Sequence, residues 1–276
     1  MIMRRMVTAT PAVLRRPADL LHLATAAAEA GGRVINASRA SGRVAVPESK
    51  GRGDWVTSVD REAEAAVTSI LRMATPEIPI LAEESGGTRA ERFWVVDPLD
   101  GTTNFVLGFP MVGVSVALVE AGQPTVGVVS APELGARWVA VRGEGAFDRS
   151  GRRLDLRAGP AAGVTATGFP FRHPEWHPRY LAVMNAALGE FEDLRRVGAA
   201  SLDLAYCASG VWSGFFELGL GLWDIAAGAL LVREAGGVVT DWDGDEDAVF
   251  RSGDILAGWP GWHRRMLELV RRVERR

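Results

Sequence analysis

Apolar positions recur at helical spacing in two early stretches of the chain. Residues 20–35 are Ala-rich with apolar side chains returning every three to four positions, and residues 60–74 place Ala63, Ala66, Val67, Ile70 and Leu71 on one face with Arg61, Glu62, Glu64 and Arg72 opposite. Both stretches are predicted helices. From residue 79 the period shortens to that of strands, with β-rich runs at 80–82, 93–96, 112–119, 125–130 and 137–141 separated by Gly, Pro and Asp clusters. Short turns between consecutive strands imply an antiparallel meander. Beyond about residue 160 the elements alternate: strand 164–167, helix 180–188, helices 201–209 and 224–235, strands 238–241 and 255–258, and a last helix from Trp262. The expected organisation is a flexible extension over 1–17, an N-terminal α+β half over 18–158 and an alternating C-terminal half over 159–276. No repeat or low-complexity linker divides them, so one compact catalytic unit is expected.

Composition narrows the function classes. Hydrophobic residues make up 47% and charged residues 24% of 276 positions, which suits a globular protein and is too apolar for disorder. Lys and Arg together number 31 against 34 Asp and Glu, and that balance argues against a nucleic-acid or anionic-membrane partner, while leaving room for a small anionic substrate at a locally positive site. The longest nearly uncharged run, 105–119, is too short to span a bilayer and is broken by Gly108, Pro110 and Gly113, so it reads as buried strand. Residues 1–16 lack the continuous apolar segment of a signal peptide. Cys207 is the single cysteine, which rules out an intramolecular disulfide or a Cys-based zinc site and makes a cytoplasmic location the expectation. Lys50 is the only lysine.

Candidate chemistry gathers at the ends of three elements. The run Phe93-Trp94-Val95-Val96 delivers Asp97 at its end, Pro98 is expected to take the chain out of the ladder, and Asp100, Gly101, Thr102, Thr103 and Asn104 follow. Thr102, Thr103 and Asn104 offer the hydroxyls and amide hydrogens that open a helix and cradle an oxyanion. Ile80-Leu81-Ala82 likewise ends in Glu83-Glu84, and Asp224 heads the Ala-rich stretch that follows Trp223. Taken singly, Asp-Pro and Asp-Gly are ordinary turn formers and an Asp before a helix is an ordinary cap. Three such sites in one chain favour convergence. If Glu83, Asp97, Asp100 and Asp224 came within about 5 Å, each pair would repel by roughly 3 kcal/mol at an effective dielectric of 20. Such a cluster needs cations, and an all-oxygen donor set selects hard ones, Mg2+ before zinc or copper. Mg2+ beside an anion-cradling turn is apparatus for hydrolysing a phosphate ester.

The segments WVVDPLDGTTNF and WDIAAGALLVREAGG, with LAEES and DWVTSVD in the same order, resemble the signatures of the inositol monophosphatase family of Mg2+-dependent, lithium-sensitive phosphatases, over about residues 18–275. The resemblance implies an α+β fold, a layered αβαβα sandwich of the inositol monophosphatase and fructose-1,6-bisphosphatase type, a homodimer, and hydrolysis of small phosphate monoesters by a metal-activated water. It implies two or three Mg2+ per site: Glu83, Asp97 and the Leu99 carbonyl for the first, Asp97, Asp100 and Asp224 for the second, and Glu83 again for a weaker third. Thr102 with Glu83 or Asp60 would orient and deprotonate the water, and Gly101, Thr102 and Thr103 would cradle the phosphate. Glu217 matches a position that contacts a substrate hydroxyl, with Asp100 and Asp224 nearby, and Glu84 stands behind the ligands. Ala199 occupies a position where many members carry Ser or Thr, a loss on the order of 1 kcal/mol for inositol recognition. Inositol monophosphate is the first-choice substrate; sugar phosphates such as fructose 1,6-bisphosphate, histidinol phosphate, and a regulatory binding role on an inactive phosphatase fold are the alternatives. Thr103 disfavours nucleotide substrates, whose phosphatases carry Lys there. Lys50, just ahead of DWVTSVD, is a further candidate for the metal site.

Other motifs carry less. Cys207 has Ser213, not Arg, six residues on, so the cysteine-phosphatase loop is missing and a buried thiol is expected. His173 and His177 are each followed by Pro, which spoils a helical ligand pair. Asp241, Asp243, Asp245 and Asp247 lack the Gly and Glu spacing of a calcium loop, and Arg52-Gly53-Asp54 would be an adhesion motif only outside the cell. The nine Trp residues show no basic interleaving and are expected in the core or at a dimer interface.

Overall fold

In the computed structural model, which describes residues 16–42, 46–51, 54–159 and 163–275, the chain opens with α1 (Pro17–Ala40), a hairpin of β1 (Glu48–Gly51) and β2 (Asp54–Val56), and α2 (Ser58–Ala74). Strands β3 (Ile80–Ala82), β4 (Gly86–Gly87) and β5 (Arg92–Asp100) follow, then α3 (Thr102–Leu107) and β6 (Gly113–Glu120), β7 (Gln123–Ala131), β8 (Ala136–Val141) and β9 (Gly145–Asp148). The second half runs β10 (Val164–Thr167), α4 (His177–Glu190), β11 (Asp193–Arg195), α5 (Ala200–Ala208), β12 (Gly214–Glu217) and α6 (Leu222–Glu234). It ends with β13 (Val238–Thr240), α7 (Val249–Ser252), β14 (Ile255–Gly258) and α8 (Pro260–Glu274). Residues 1–15, 52–53 and the Lys50 side chain lie outside the described part, and with them the expectations for the N-terminal extension, for Lys50 and for the Arg-Gly-Asp tripeptide. Pro17, assigned to that extension by sequence, is already helical, as suits Pro at a first helical position.

The layers follow from which faces are apolar. Strands order β4-β3-β5-β6-β7-β8-β9 in one sheet and β11-β10-β12-β14-β13 in another. Helices α1 and α2 cover the outer face of the seven-stranded sheet, α5 and α6 lie between the sheets, and α4 and α8 cover the far side of the five-stranded one. This is an αβαβα sandwich. The run at the start of β5 is apolar on both faces for that reason: Phe93 and Val95 pack into the core shared with α5 and α6, and Trp94 and Val96 into the core under α1 and α2. Among the described residues no helix is long and apolar enough to cross a membrane.

Four readings are corrected. The meander holds from β5 to β9, but β3 pairs with β5 in parallel, Ala82 opposite Val96, so Glu83 and Asp97 emerge at the same end of two neighbouring strands. Pro98 does not end the ladder: pairing resumes at Asp100 opposite Gly113 after Asp97 opposite Ser115, one extra residue on β5. That bulge decides the site, because in a regular strand residues three apart face opposite ways, and the inserted residue turns Asp97 and Asp100 to one side. Residues 105–107 of the expected buried strand belong instead to α3, with Val106 and Leu107 exposed. Glu64, assigned to the solvent face of α2, is buried, and its carboxylate accepts hydrogen bonds from the backbone N–H groups of Glu84 and Ser85 at 2.8 and 3.0 Å.

Candidate active site

A single cleft is lined by Glu83, Asp97, Leu99, Asp100, Gly101, Thr102, Thr103, Ala199, Glu217 and Asp224. Asp60 lies directly behind it. It reaches the cleft through one hydroxyl: Thr102 Oγ1 donates to Asp60 Oδ1 at 2.8 Å. Asp60 is held rigidly because it closes the capping box of α2, accepting from Thr57 N–H at 2.8 Å and Thr57 Oγ1 at 2.6 Å through Oδ2.

Three carboxylates converge. Oxygen atoms of Asp97, Asp100 and Asp224 lie within 4.8 Å of one another, and the Glu83 side chain is in hydrogen-bond contact with Asp97. Local structure delivers each. Asp97 follows from the bulge, and its Oδ1 accepts from Leu99 N–H at 3.0 Å. Asp100 caps α5: Ala199, at the N-cap, has no side-chain oxygen to do so, and Asp100 Oδ2 accepts from Ser201 N–H at 2.7 Å and from the Ser201 hydroxyl. Asp224, in the first turn of α6, accepts from Gly221 N–H at 2.6 Å, while Ser115 on β6 donates to the carbonyl of Trp223 at 2.9 Å and fixes that helix start to the sheet.

Gly101 adopts a left-handed conformation, φ 88°, that starts α3 directly after Asp100. Asn104 then ties the turn to the opposite wall, donating to the carbonyls of Met111 and Val197 at 2.7 and 3.0 Å.

The carboxylates repel one another. Burial, then the charges of Glu83, Asp100 and Asp224, push the Asp97 carboxyl well above the usual range, and its Oδ2 is buried with no hydrogen-bond partner among the described residues. Asp100 is raised by burial, against which the Ser201 and Ala200 bonds and Arg172 act. Asp224 is raised by burial and by Asp100. Across the cleft, burial lifts Glu217 to about 8, opposed by Arg196. An orphaned carboxylate oxygen, all-oxygen donors and a concentrated negative charge are what a hard divalent cation satisfies, so these residues fit Mg2+.

The model of the inositol monophosphatase family matches residues 17–275. The chain belongs to that family. It is 41% identical over 257 residues to the Nus factor SuhB of Haemophilus influenzae, covering 91% of this chain and 96% of that one. Among solved structures it is similar to the suppressor protein SuhB of Bartonella henselae, with 38% identity, TM-score 0.83, and coverage of 91% and 98%. It is also similar to the IMPase of Thermotoga maritima, with 32% identity, TM-score 0.82, and coverage of 93% and 98%.

Of the far wall of this inositol monophosphatase-type cleft, sequence reasoning found Glu217 and missed the rest. Gly168, Phe169, Phe171, Arg172, Arg196 and Asp203 line it. A weak signal was present: Gly168-Phe169-Pro170 follows a predicted strand, the place where the other site residues were found, and Asp203 is the one charge in the buried helix ASLDLAYCA. The pair His173 and His177 stays apart from the carboxylates, His173 stacked on Trp176 at 3.8 Å and His177 bonded to the Pro170 carbonyl at 3.1 Å. Asp241 and Asp245 accept hydrogen bonds from the backbone N–H groups of their own turn, and Cys207 is fully buried.

Proposed function

We propose that the chain is a Mg2+-dependent phosphomonoesterase that hydrolyses inositol monophosphate to inositol and inorganic phosphate. The observation that carries this reading is the trio Asp97, Asp100 and Asp224 within 4.8 Å, with Asp97 Oδ2 left without a partner, beside a helix-opening turn. Glu83, Asp97 and the Leu99 carbonyl would hold one Mg2+, Asp97, Asp100 and Asp224 a second, and Glu83 would serve a weaker third. When bound, Mg2+ supplies Lewis-acid polarisation of the phosphoryl oxygens and neutralises the carboxylates.

The chain's own groups do the rest. The backbone N–H groups of Gly101 and Thr102 and the Thr103 hydroxyl would cradle the phosphate oxygens. Thr102 Oγ1, giving its proton to Asp60, turns its lone pairs toward the cleft and is placed to accept a proton from the attacking water, with Glu83 as the alternative base. Glu217 and the walls around Ala199 would receive the alcohol. A homodimer is the expected assembly, to be checked by light scattering.

The deciding experiment is phosphate release from inositol 1-phosphate, fructose 1,6-bisphosphate and histidinol phosphate, with and without Mg2+ and Li+. Preference for inositol 1-phosphate, dependent on Mg2+ and inhibited by Li+, supports the reading; preference for another ester replaces the substrate, and no release from any ester overturns it. A second reading, a regulatory binding protein, is favoured by the name Nus factor borne by relatives at about 40% identity. Calorimetry that detects no Mg2+ binding at millimolar concentration would favour it over catalysis.

A further inference from the structure

Asp203 stands apart among the carboxylates around the cleft. Asp60 caps α2, Asp224 caps α6, Asp100 caps α5 and Glu64 holds the turn at Glu84. Asp203 is 1% exposed, yet it lines the cleft, and its Oδ1 has no hydrogen-bond partner among the described residues. Its backbone N–H is committed to the carbonyl of Ala199 at 3.0 Å. The residues beside it, Leu202, Leu204 and Ala205, are core, so packing alone calls for an apolar side chain at this position. An unsatisfied buried carboxylate is retained against its desolvation cost only if something else satisfies it.

The same wall holds a second carboxylate, Glu217. The Glu217 carboxylate stands over Gly168, where a Cβ would fall 2.0 Å from Oε2 and displace it. Two cations, Arg172 and Arg196, share this wall, and Arg196 has its guanidinium over the rings of Phe169 and Phe171, 5.9 and 6.0 Å from their centroids. A carboxyl group keeps an accepting oxygen in either protonation state, and two of them facing one cavity match hydroxyl groups.

We infer that Asp203 is a specificity-determining residue that accepts, beside Glu217, a second hydroxyl of the leaving alcohol, and so selects monophosphates of polyols that present at least two hydroxyls to this wall. The inference rests on the phosphatase reading above. It is distinct from the cation cluster, because Asp203 belongs to the alcohol side of the cleft.

The test uses the full chain with Mg2+, as wild type, Asp203→Asn and Asp203→Leu. Steady-state kinetics are measured on inositol 1-phosphate and on p-nitrophenyl phosphate, whose leaving group carries no further hydroxyl, together with the melting temperature of each protein. The expected result is a fall of about tenfold or more in the ratio of kcat/KM for inositol 1-phosphate over p-nitrophenyl phosphate, carried mostly by KM. The melting temperature should hold or rise, since a buried unpaired carboxylate has been removed. An unchanged ratio, or equal losses on both esters with a lowered melting temperature, overturns the inference and makes Asp203 a strut. Wild type that hydrolyses neither ester overturns the phosphatase reading instead, and the inference falls with it.

Discussion

The two walls of the cleft are built in opposite ways. The carboxylate wall comes from short contiguous pieces: one strand, its bulge and the turn after it supply Asp97, Leu99, Asp100 and Gly101 to Thr103, and the parallel neighbour supplies Glu83. The opposite wall is assembled from the loop after β10, the approach to α5, the first turn of α5 and the end of β12, which bring Arg172, Arg196, Asp203 and Glu217 together from segments spanning about fifty residues. The difference separates two duties. A wall cut from one segment keeps its geometry as a unit and suits the shared chemistry of phosphate; a wall drawn from several can change one residue at a time and suits the choice of alcohol.

Substitutions on the two walls should therefore fail differently. On the carboxylate wall, Asp97→Asn is expected to lower Mg2+-dependent kcat on every phosphate ester by on the order of a thousandfold, several kcal/mol of charge stabilisation, while the metal-free protein melts no lower than wild type. Loss confined to one ester would erase the distinction. Thr102→Val, which removes the hydroxyl between Asp60 and the cleft, should cost about a hundredfold in kcat with little change in KM. On the alcohol wall, Arg172→Gln should raise KM by about tenfold and leave kcat within a few-fold; a larger drop in kcat than in Thr102→Val would place Arg172 in the chemistry.

The smallest effect expected is on stability. Glu217 titrates near 8 when folded against a usual 4.5, so the folded chain holds more protons than the unfolded one between those values. Stability falls as pH rises through that window. The metal-free melting temperature should thus decline from pH 5 to 9, and Glu217→Gln should flatten the decline. A wild-type profile that rises over the same range would show that the alcohol wall is not a reservoir of buried charge.

How much of this was legible follows from the same contrast. The helices, the meander and the carboxylate wall were readable because apolar periodicity and turn chemistry act over a few residues. Pro98 was misread because its missing N–H argues against a ladder position, whereas a bulge is a place in a ladder where that donor is not needed. Glu64 was misread because a carboxylate on a helix is charged to the solvent face by default, and only the turn of β3 folding back over α2 supplies its donors. Strand β12, and with it Glu217 as a neighbour of Asp203, depends on crossover pairing with β10 and β14, which local pattern does not encode. Arg196 was passed over because it is exposed and unremarkable until the Phe169 and Phe171 rings are brought beneath it.

Asp60 divides its two oxygens, Oδ2 fastening the first turn of α2 and Oδ1 accepting from Thr102, and Asp224 likewise commits its Oδ2 to the first turn of α6. This division makes folding and function separable by a single atom. An Asn at position 224 would keep the cap by leaving its amide oxygen toward Gly221 N–H, and its amide nitrogen would replace an acceptor in the neighbourhood of Asp97 and Asp100. The helix would stand, and the pocket would carry a built-in donor where it now carries an acceptor, an internal occupant in place of an external one.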